Sequence, residues 1–309
     1  MTRTLVTGAA GFIGSHLTEA LLDRGDAVIG LDALVTGRRA NMESVNNAEA
    51  FQFVEGDIRD GEFIRELCAD VQTIYHQAAI PSVPRSVEDP VTTTDVNCVG
   101  TATVLDAARD AGVETVVVAS SSSVYGSETG VPKVETMVPR PESPYALSKY
   151  HTEQLAVQAH ALYGIDTVAL RYFNIFGPRQ RPDGPYAAVI PAFLARMQAG
   201  ERPVIYGDGQ QTRDFTYIDN AVQANLAAAD ADVGGEVLNI GAGEQLSITG
   251  LVDLLNDVLG TSIAPEHTEP REGDVRHSWA DIDRAKRVIG YTPAVDATGG
   301  IRHLVNSVG

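Results

Sequence analysis

Along the first half of the chain, short runs of β-branched and aliphatic residues alternate with longer stretches whose apolar positions recur at helical spacing. The runs Thr4–Thr7, Ala27–Asp32, Phe51–Val54, Thr73–His76, Thr115–Ala119 and Thr167–Leu170 predict strands. Amphipathic stretches near Ser15–Arg24, Val91–Ala111 and Pro144–Tyr163 predict helices. Strands alternating with helices predict βαβ units, and so an α/β fold with a doubly wound parallel sheet. After about Asn174 the pattern loosens, and Pro and Gly gather in Gly177–Pro185. Helices expected near Ala188–Ala199, Asp219–Ala229 and Ile248–Leu259 are separated by small strands at Val204–Tyr206 and Val237–Ile240. This divides the chain into a large domain over 1–174 and a smaller C-terminal substrate-binding lobe over 175–309. The chain is expected to cross between the lobes more than once, with a ligand in the crevice between them.

The first strand ends in Thr7-Gly8-Ala9-Ala10-Gly11-Phe12-Ile13-Gly14 and opens directly into a helix. Glycines there permit a tight turn and let backbone N–H groups approach a pyrophosphate. The spacing is GxxGxxG, and a glycine pattern alone also occurs in ordinary βα turns. Its place after the first strand, with Asp32 closing the second strand 18 residues beyond Gly14, reads as a Rossmann-type dinucleotide site. An acidic side chain at that point accepts from both ribose hydroxyls and repels a 2′-phosphate. NAD is therefore the expected cofactor, with Arg38 and Arg39 following closely enough to leave NADP open.

Charge changes the picture of possible partners. With 23 Lys and Arg against 41 Asp and Glu, the 309-residue chain carries a formal charge of −18. Such a surface repels nucleic acid and anionic membranes, and an anionic substrate would need local arginines and helix N-termini. Only Lys133, Lys149 and Lys286 are lysines, and the excess of acids over lysine points to a salt-rich cytoplasm. No apolar run reaches the roughly 18 residues of a membrane span. The chain starts without a basic-then-apolar signal segment, so a soluble cytoplasmic protein is expected. Cys68 and Cys98 form no CxxC pair or Cys/His cluster, so neither a disulfide framework nor a metal site is expected.

Tyr145 and Lys149 stand at i and i+4 behind Pro144, which suits a first helical turn. That spacing puts both side chains on one face. A free phenol, with pKa near 10, is too weak a base at neutral pH, and a neighbouring ammonium would stabilise its phenolate. Ser120-Ser121-Ser122-Ser123 follows directly on the strand Thr115–Ala119, at the end that lines the ligand crevice in an open α/β sheet. Each feature alone is also what a surface pair or a polar loop would show. Together with the glycine turn they form a candidate catalytic set.

These residues together resemble the extended short-chain dehydrogenase/reductase family over almost the full chain. The resemblance rests on TGAAGFIG at 7–14, Asp32, GDIRD at 56–60, HQAA at 76–79, NCVGT at 97–101, SSSVYG at 121–126, YALSK at 145–149 and LRYFNIFGPRQ at 170–180. It implies a catalytic set of Ser121, Tyr145 and Lys149. It implies cofactor contacts from Gly8, Gly11, Phe12, Ile13, Gly14, Asp32, Asp57, Ile58, Ala78, Ala79 and Asn97, with Asp57 and Ile58 flanking adenine. Pairing of two copies through the helices near Val91–Ala111 and Pro144–Tyr163 is also implied.

Within that family the chain is similar to the UDP-hexose 4-epimerases, especially those acting on N-acetylated sugars. The resembling segments are SVPRS at 82–86, YAAVIP at 186–191, YGDGQQTRDFTYIDN at 206–220 and PREGDVRHSWAD at 270–281. The resemblance implies substrate contacts from Ser82, Arg85, Ser122, Asn174, Ala188, Val189, Tyr206, Arg213, Arg271, Asp274 and Ser278. Guanidinium groups such as Arg213 and Arg271 suit a diphosphate on an acidic protein. Where a bulky Tyr restricts relatives to glucose and galactose, this chain has the small Ser278, which implies room for a 2-acetamido group. Where the related 4,6-dehydratases carry an Asp-Glu pair, this chain has Ser122 and Ser123, so dehydration is not expected. The implied reaction is an NAD-dependent inversion at C4 through a transient 4-keto sugar. The alternatives are a UDP-glucuronate 4-epimerase or decarboxylase, for which an extra cationic contact would speak, and a non-catalytic dinucleotide sensor.

Overall fold

Parallel strands cannot be joined by tight turns and need a crossover element each. In a computed structural model of the chain, which describes residues 2–181, 188–270 and 275–308, the N-terminal half supplies these crossovers in order. Strands β1 (Arg3–Thr7), β2 (Ala27–Asp32), β3 (Phe51–Glu55), β4 (Thr73–His76), β5 (Thr115–Ser121) and β6 (Asp166–Tyr172) pair in parallel. The helices among them are α1 (Phe12–Arg24), α2 (Gly61–Leu67), α3 (Val83–Glu88), α4 (Pro90–Thr94), α5 (Gly100–Ala111) and α6 (Pro144–Tyr163). A π turn, Asp95–Val99, joins α4 to α5, so the single helix expected over 91–111 carries a wide turn near its start. The helix α6 starts where Ser143 accepts the Ala146 N–H at 3.1 Å and Pro144 fills the first turn.

Downstream lie β7 (Ile175–Phe176), α7 (Val189–Gln198), β8 (Val204–Tyr206), β9 (Thr212–Arg213), β10 (Thr216–Tyr217) and α8 (Ile218–Asp230). They are followed by β11 (Glu236–Ile240), β12 (Leu246–Ser247), α9 (Ile248–Leu259), β13 (Glu266–Thr268), β14 (His277–Ser278), α10 (Asp283–Ile289) and α11 (Ala297–Val308). The main sheet runs β11-β6-β5-β4-β1-β2-β3. Its seventh strand is thus β11, the expected strand Val237–Ile240 with Glu236 added, and it belongs to the main sheet rather than to the small lobe. The strand pairs in parallel with β6, and the cut at 174/175 does not separate two continuous halves. A short apolar run carries no mark of which sheet will recruit it.

The sheet is buried on both faces. One face packs Leu17 and Leu21 of α1 and Ala221 and Ala224 of α8 in a core that continues into the C-terminal lobe. The other packs Ile64, Val104, Ala108 and Ala156 from α2, α5 and α6. Small sheets, β12-β9-β14, β10-β7 and β13-β8, build the lobe beside the C-terminal ends of the main strands. At that edge, between the paired strands β1 and β4, the strand order reverses, and this is the switch point at which doubly wound sheets bind ligands.

Candidate active site

The glycine turn has the shape its sequence requires. Gly8 sits at φ +74° with its N–H donated to Leu31 O at 2.7 Å, and a Cβ there would come 2.8 Å from the Ala78 nitrogen. Gly14 lies so close to the Gly8 carbonyl that no side chain fits. Gly11 caps α1 without a side chain, leaving the helix N-terminal N–H groups for an anion. Asp32 ends β2 and accepts the Leu34 N–H at 2.7 Å and the Ala10 N–H at 2.9 Å. Burial pushes its carboxyl pKa up, and the backbone N–H donors oppose that.

These groups border a crevice of about 640 Å³. The expected cofactor residues all line it except Asn97. Asn97, buried in the π turn, accepts the Ile80 N–H at 2.8 Å and donates to Ser148 Oγ at 2.9 Å, so it fixes the crevice wall from behind. The uncapped helix end and the carboxylate at the tip of β2 fit the pyrophosphate and adenosine ribose of NAD.

Tyr145 lies on the first turn of α6, and its backbone N–H is held by the buried Ser86 hydroxyl at 3.0 Å. Burial raises the Tyr145 phenol pKa, and a hydrogen bond with Ser121 lowers it. Ser121, the last residue of β5, also accepts the Ser123 N–H at 3.2 Å. One turn along α6, the buried Lys149 donates to Ala119 O at 3.0 Å. Burial pulls its pKa down to about 8, against the pull of Cys98 and Glu153. His76, bonded to Thr7 at 2.7 Å and Thr101 at 3.0 Å, is held neutral by burial and by Lys149.

A second cavity of about 610 Å³ adjoins the first, and Tyr145 lines both. Of the expected substrate residues, Ser122, Asn174, Ala188, Val189, Arg213 and Ser278 border it, as does Ser121. Asp214 gathers them. Its carboxylate accepts the Ala242, Gly243 and Ala280 N–H groups at 2.8, 3.1 and 3.1 Å, its N–H reaches Ser278 O at 3.0 Å, and its carbonyl accepts from Asn174 at 3.0 Å. Ser82 and Arg85 lie on the wall of the cofactor crevice, where Ser82 accepts the Arg85 N–H at 3.3 Å and caps α3, while their neighbours Pro81 and Val83 line the second cavity. Tyr206 is absent from the cavity lining: β8 pairs with β13, and the residue is 38% exposed. Arg271 and Asp274 fall outside the described residues.

Three residues near the site escaped sequence reading. Lys133 lines the second cavity, and its scarcity as a lysine was the available signal. Burial pushes its pKa down, with the Glu128 charge pulling the other way. Glu153 and Arg171 form a buried pair behind β5, at 2.8 Å from Nε and 2.8 Å from Nη2. Ser120 Oγ also donates to Glu153, and Arg171 reaches Tyr125 Oη at 2.9 Å.

Comparison with known proteins matches this arrangement. The family model described as "NAD dependent epimerase/dehydratase family" matches residues 4–241. A UDP-glucose 4-epimerase of Mycolicibacterium smegmatis is 42% identical over 306 residues, 98% of this chain and 97% of the relative. Among solved structures, a UDP-N-acetylglucosamine 4-epimerase from Methanobrevibacter ruminantium, in complex with UDP-N-acetylmuramic acid, superposes with a TM-score of 0.95 at 37% identity, covering 99% of this chain and 97% of that one. A UDP-glucuronic acid 4-epimerase from Bacillus cereus, in complex with UDP-glucuronic acid and NAD, gives 0.92 at 35% identity, covering 99% of both chains.

Proposed function

We propose, from the premise that this chain belongs to the NAD dependent epimerase/dehydratase family, that it inverts C4 of UDP-hexoses and accepts UDP-N-acetylglucosamine and UDP-N-acetylgalactosamine as well as UDP-glucose and UDP-galactose. The observation that carries this reading is Tyr145 at the junction of the two cavities, bonded to Ser121, with Ser278 on the wall of the second. A carbon at that junction meets the acid/base pair from one side and the cofactor crevice from the other. Among the described residues no Asp or Glu lines the second cavity, which argues against elimination of water. The full set of Ser121, Tyr145 and Lys149 argues against a mere sensor.

NAD, when bound, supplies a reversible hydride acceptor. Tyr145 as phenolate takes the proton of the sugar 4-hydroxyl, and Ser121 hydrogen-bonds the same oxygen. The Lys149 ammonium lies one turn along α6 from Tyr145, where a positive charge favours the phenolate form. Arg213 and Asn174 hold the nucleotide while the 4-keto sugar turns and presents its other face. The proton then returns from Tyr145, and no net oxidation results. Two copies pair through α4, α5 and α6, a reading supported by Val91 and Leu147, which are 76% and 57% exposed on α4 and α6. Light scattering of the purified protein tests that pairing.

Incubation with UDP-N-acetylglucosamine and, separately, UDP-glucose, without added NAD, tests the reaction. Conversion of both to their 4-epimers is expected. Conversion of UDP-glucose alone would remove the role given to Ser278. Conversion of neither, even with NAD and high salt, would remove this substrate reading and leave UDP-glucuronate or another reaction of the family.

A further inference from the structure

The second cavity is lined by a buried cation, Lys133, that forms no salt bridge among the described residues. Lys133 is 1% exposed, and its ammonium donates to the Glu128 backbone carbonyl. The nearby carboxylates are engaged elsewhere: Glu128 accepts the Gly130 N–H at 3.2 Å and faces Arg140 at 3.7 Å, while Glu135 accepts the Asn239 N–H at 2.8 Å. A buried ammonium satisfied by one neutral carbonyl retains protons to give and a charge to balance.

The Lys133 backbone is clamped beside the cavity. The Lys133 N–H donates to Trp279 O at 2.8 Å, and the Lys133 carbonyl accepts from Asp281 N at 2.9 Å and Asn239 Nδ2 at 2.9 Å. This clamp ties it to the segment that carries Ser278, the next residue before Trp279. Ser123 lines the same cavity with a buried Oγ that has no partner. Lys133 and Arg213 are the only charged residues among the described lining, and both are cations on a chain of net charge −18. Arg213 is spoken for by the diphosphate in the reading above, which leaves Lys133 for the sugar.

We propose that Lys133 is a specificity-determining residue of the sugar cavity, donating from its ammonium to a carbonyl-type oxygen on the sugar. That oxygen is the acetamido carbonyl of an N-acetylated sugar or the C6 carboxylate of a uronic acid. Hydroxyl-only sugars gain least from it, because a charged donor is worth most against a strong acceptor. The proposal rests on the UDP-sugar reading, but binding can be measured without turnover.

The test is calorimetric titration of UDP, UDP-glucose, UDP-N-acetylglucosamine and UDP-glucuronate into the NAD-loaded wild type and Lys133→Met. Binding of UDP and UDP-glucose should change less than about threefold. At least one carbonyl-bearing sugar should weaken by roughly tenfold or more, as expected for loss of a charged hydrogen bond. A loss confined to UDP-N-acetylglucosamine assigns the acetamido oxygen, and one confined to UDP-glucuronate assigns the carboxylate. Equal weakening of all four ligands, or none for either carbonyl-bearing sugar, overturns the proposal. So does a wild type that binds neither of them. Should Lys133→Met not fold, Lys133→Gln keeps a donor for the Glu128 carbonyl without the charge and is read the same way. A wild type that binds these sugars but converts none defeats the epimerase reading and leaves the Lys133 result standing.

Discussion

Glu153→Gln should destabilise the protein more than any surface charge change. Glu153 is fully buried, and the Arg171 side chain is 4% exposed. The substitution removes one negative charge and keeps the volume, so the Arg171 guanidinium stays buried without its counter-charge. Breaking a buried pair from one side costs about 3–5 kcal/mol. Against a typical total of about 5–15 kcal/mol this is a large share. At about 2 °C per kcal/mol for a chain of this size, Tm should fall by about 6–10 °C. Thermal and urea unfolding at one fixed NAD concentration would read it, since bound cofactor shifts both. The double variant Glu153→Leu with Arg171→Met should recover part of the loss, because an apolar pair of similar volume leaves no stranded charge. Turnover should fall too, because the amide NH2 would face the Arg171 guanidinium donors and displace the side chain that Ser120, next to Ser121, bonds to. A Glu153→Gln protein that melts within about 2 °C of wild type would refute this account of the pair.

Tyr145→Phe should lower kcat by about 10²–10⁴-fold while NAD and UDP still bind, as for loss of a general base; retention of most activity would remove Tyr145 from its role. Because burial holds the Lys149 pKa near 8, its ammonium is complete below that value and lost above it, so kcat/KM should decline as pH rises through about 8. Lys149→Arg should move that decline upward, and a flat profile to pH 10 in the wild type would count against the assignment. Ser278→Tyr should suppress conversion of UDP-N-acetylglucosamine and spare UDP-glucose, which parallel assays would show. With a net charge of −18, Tm should rise from dilute buffer to molar KCl as self-repulsion is screened, and a Tm that falls with salt would contradict adaptation to a salt-rich cytoplasm.

Much of the main sheet was legible because its signals are local. The glycine turn, Asp32 at the end of β2 and the Pro144-Tyr145 helix start each occupy a few consecutive residues, and each stands where its pattern predicted. Features set by distant pairing were not. The residues Glu236–Ile240 join the main sheet only because β6 offers a free edge 64 or more residues earlier in sequence. The place of Ser82 and Arg85 on the wall of the cofactor crevice follows from α3 packing after β4, which no local pattern marks. The Glu153–Arg171 pair links α6 to β6, and nothing in either helical or strand periodicity marks two charges as partners inside a core.

Asp214 shows why the lobe could be matched residue by residue and still not be understood from sequence. Arg213, Ser278 and Asn174 come from three segments that share no periodicity. They meet because β9 pairs with β14, placing Arg213 opposite Ser278, and because Asn174 donates to the Asp214 carbonyl. What fixes β9 in turn is the Asp214 carboxylate, which draws in three backbone N–H groups from the segments after β11 and β14. Burial pushes its pKa up to about 6, and those donors oppose the rise. A carboxyl whose folded pKa lies above its unfolded value favours folding most below the unfolded value, and that contribution is lost as pH rises through about 6. At neutral pH the lobe is therefore held by a carboxylate whose burial is opposed by desolvation and supported by its hydrogen bonds. The charge that orders the second cavity lies behind the groups that line it: Arg213 faces the cavity, while Asp214 holds the segments around it.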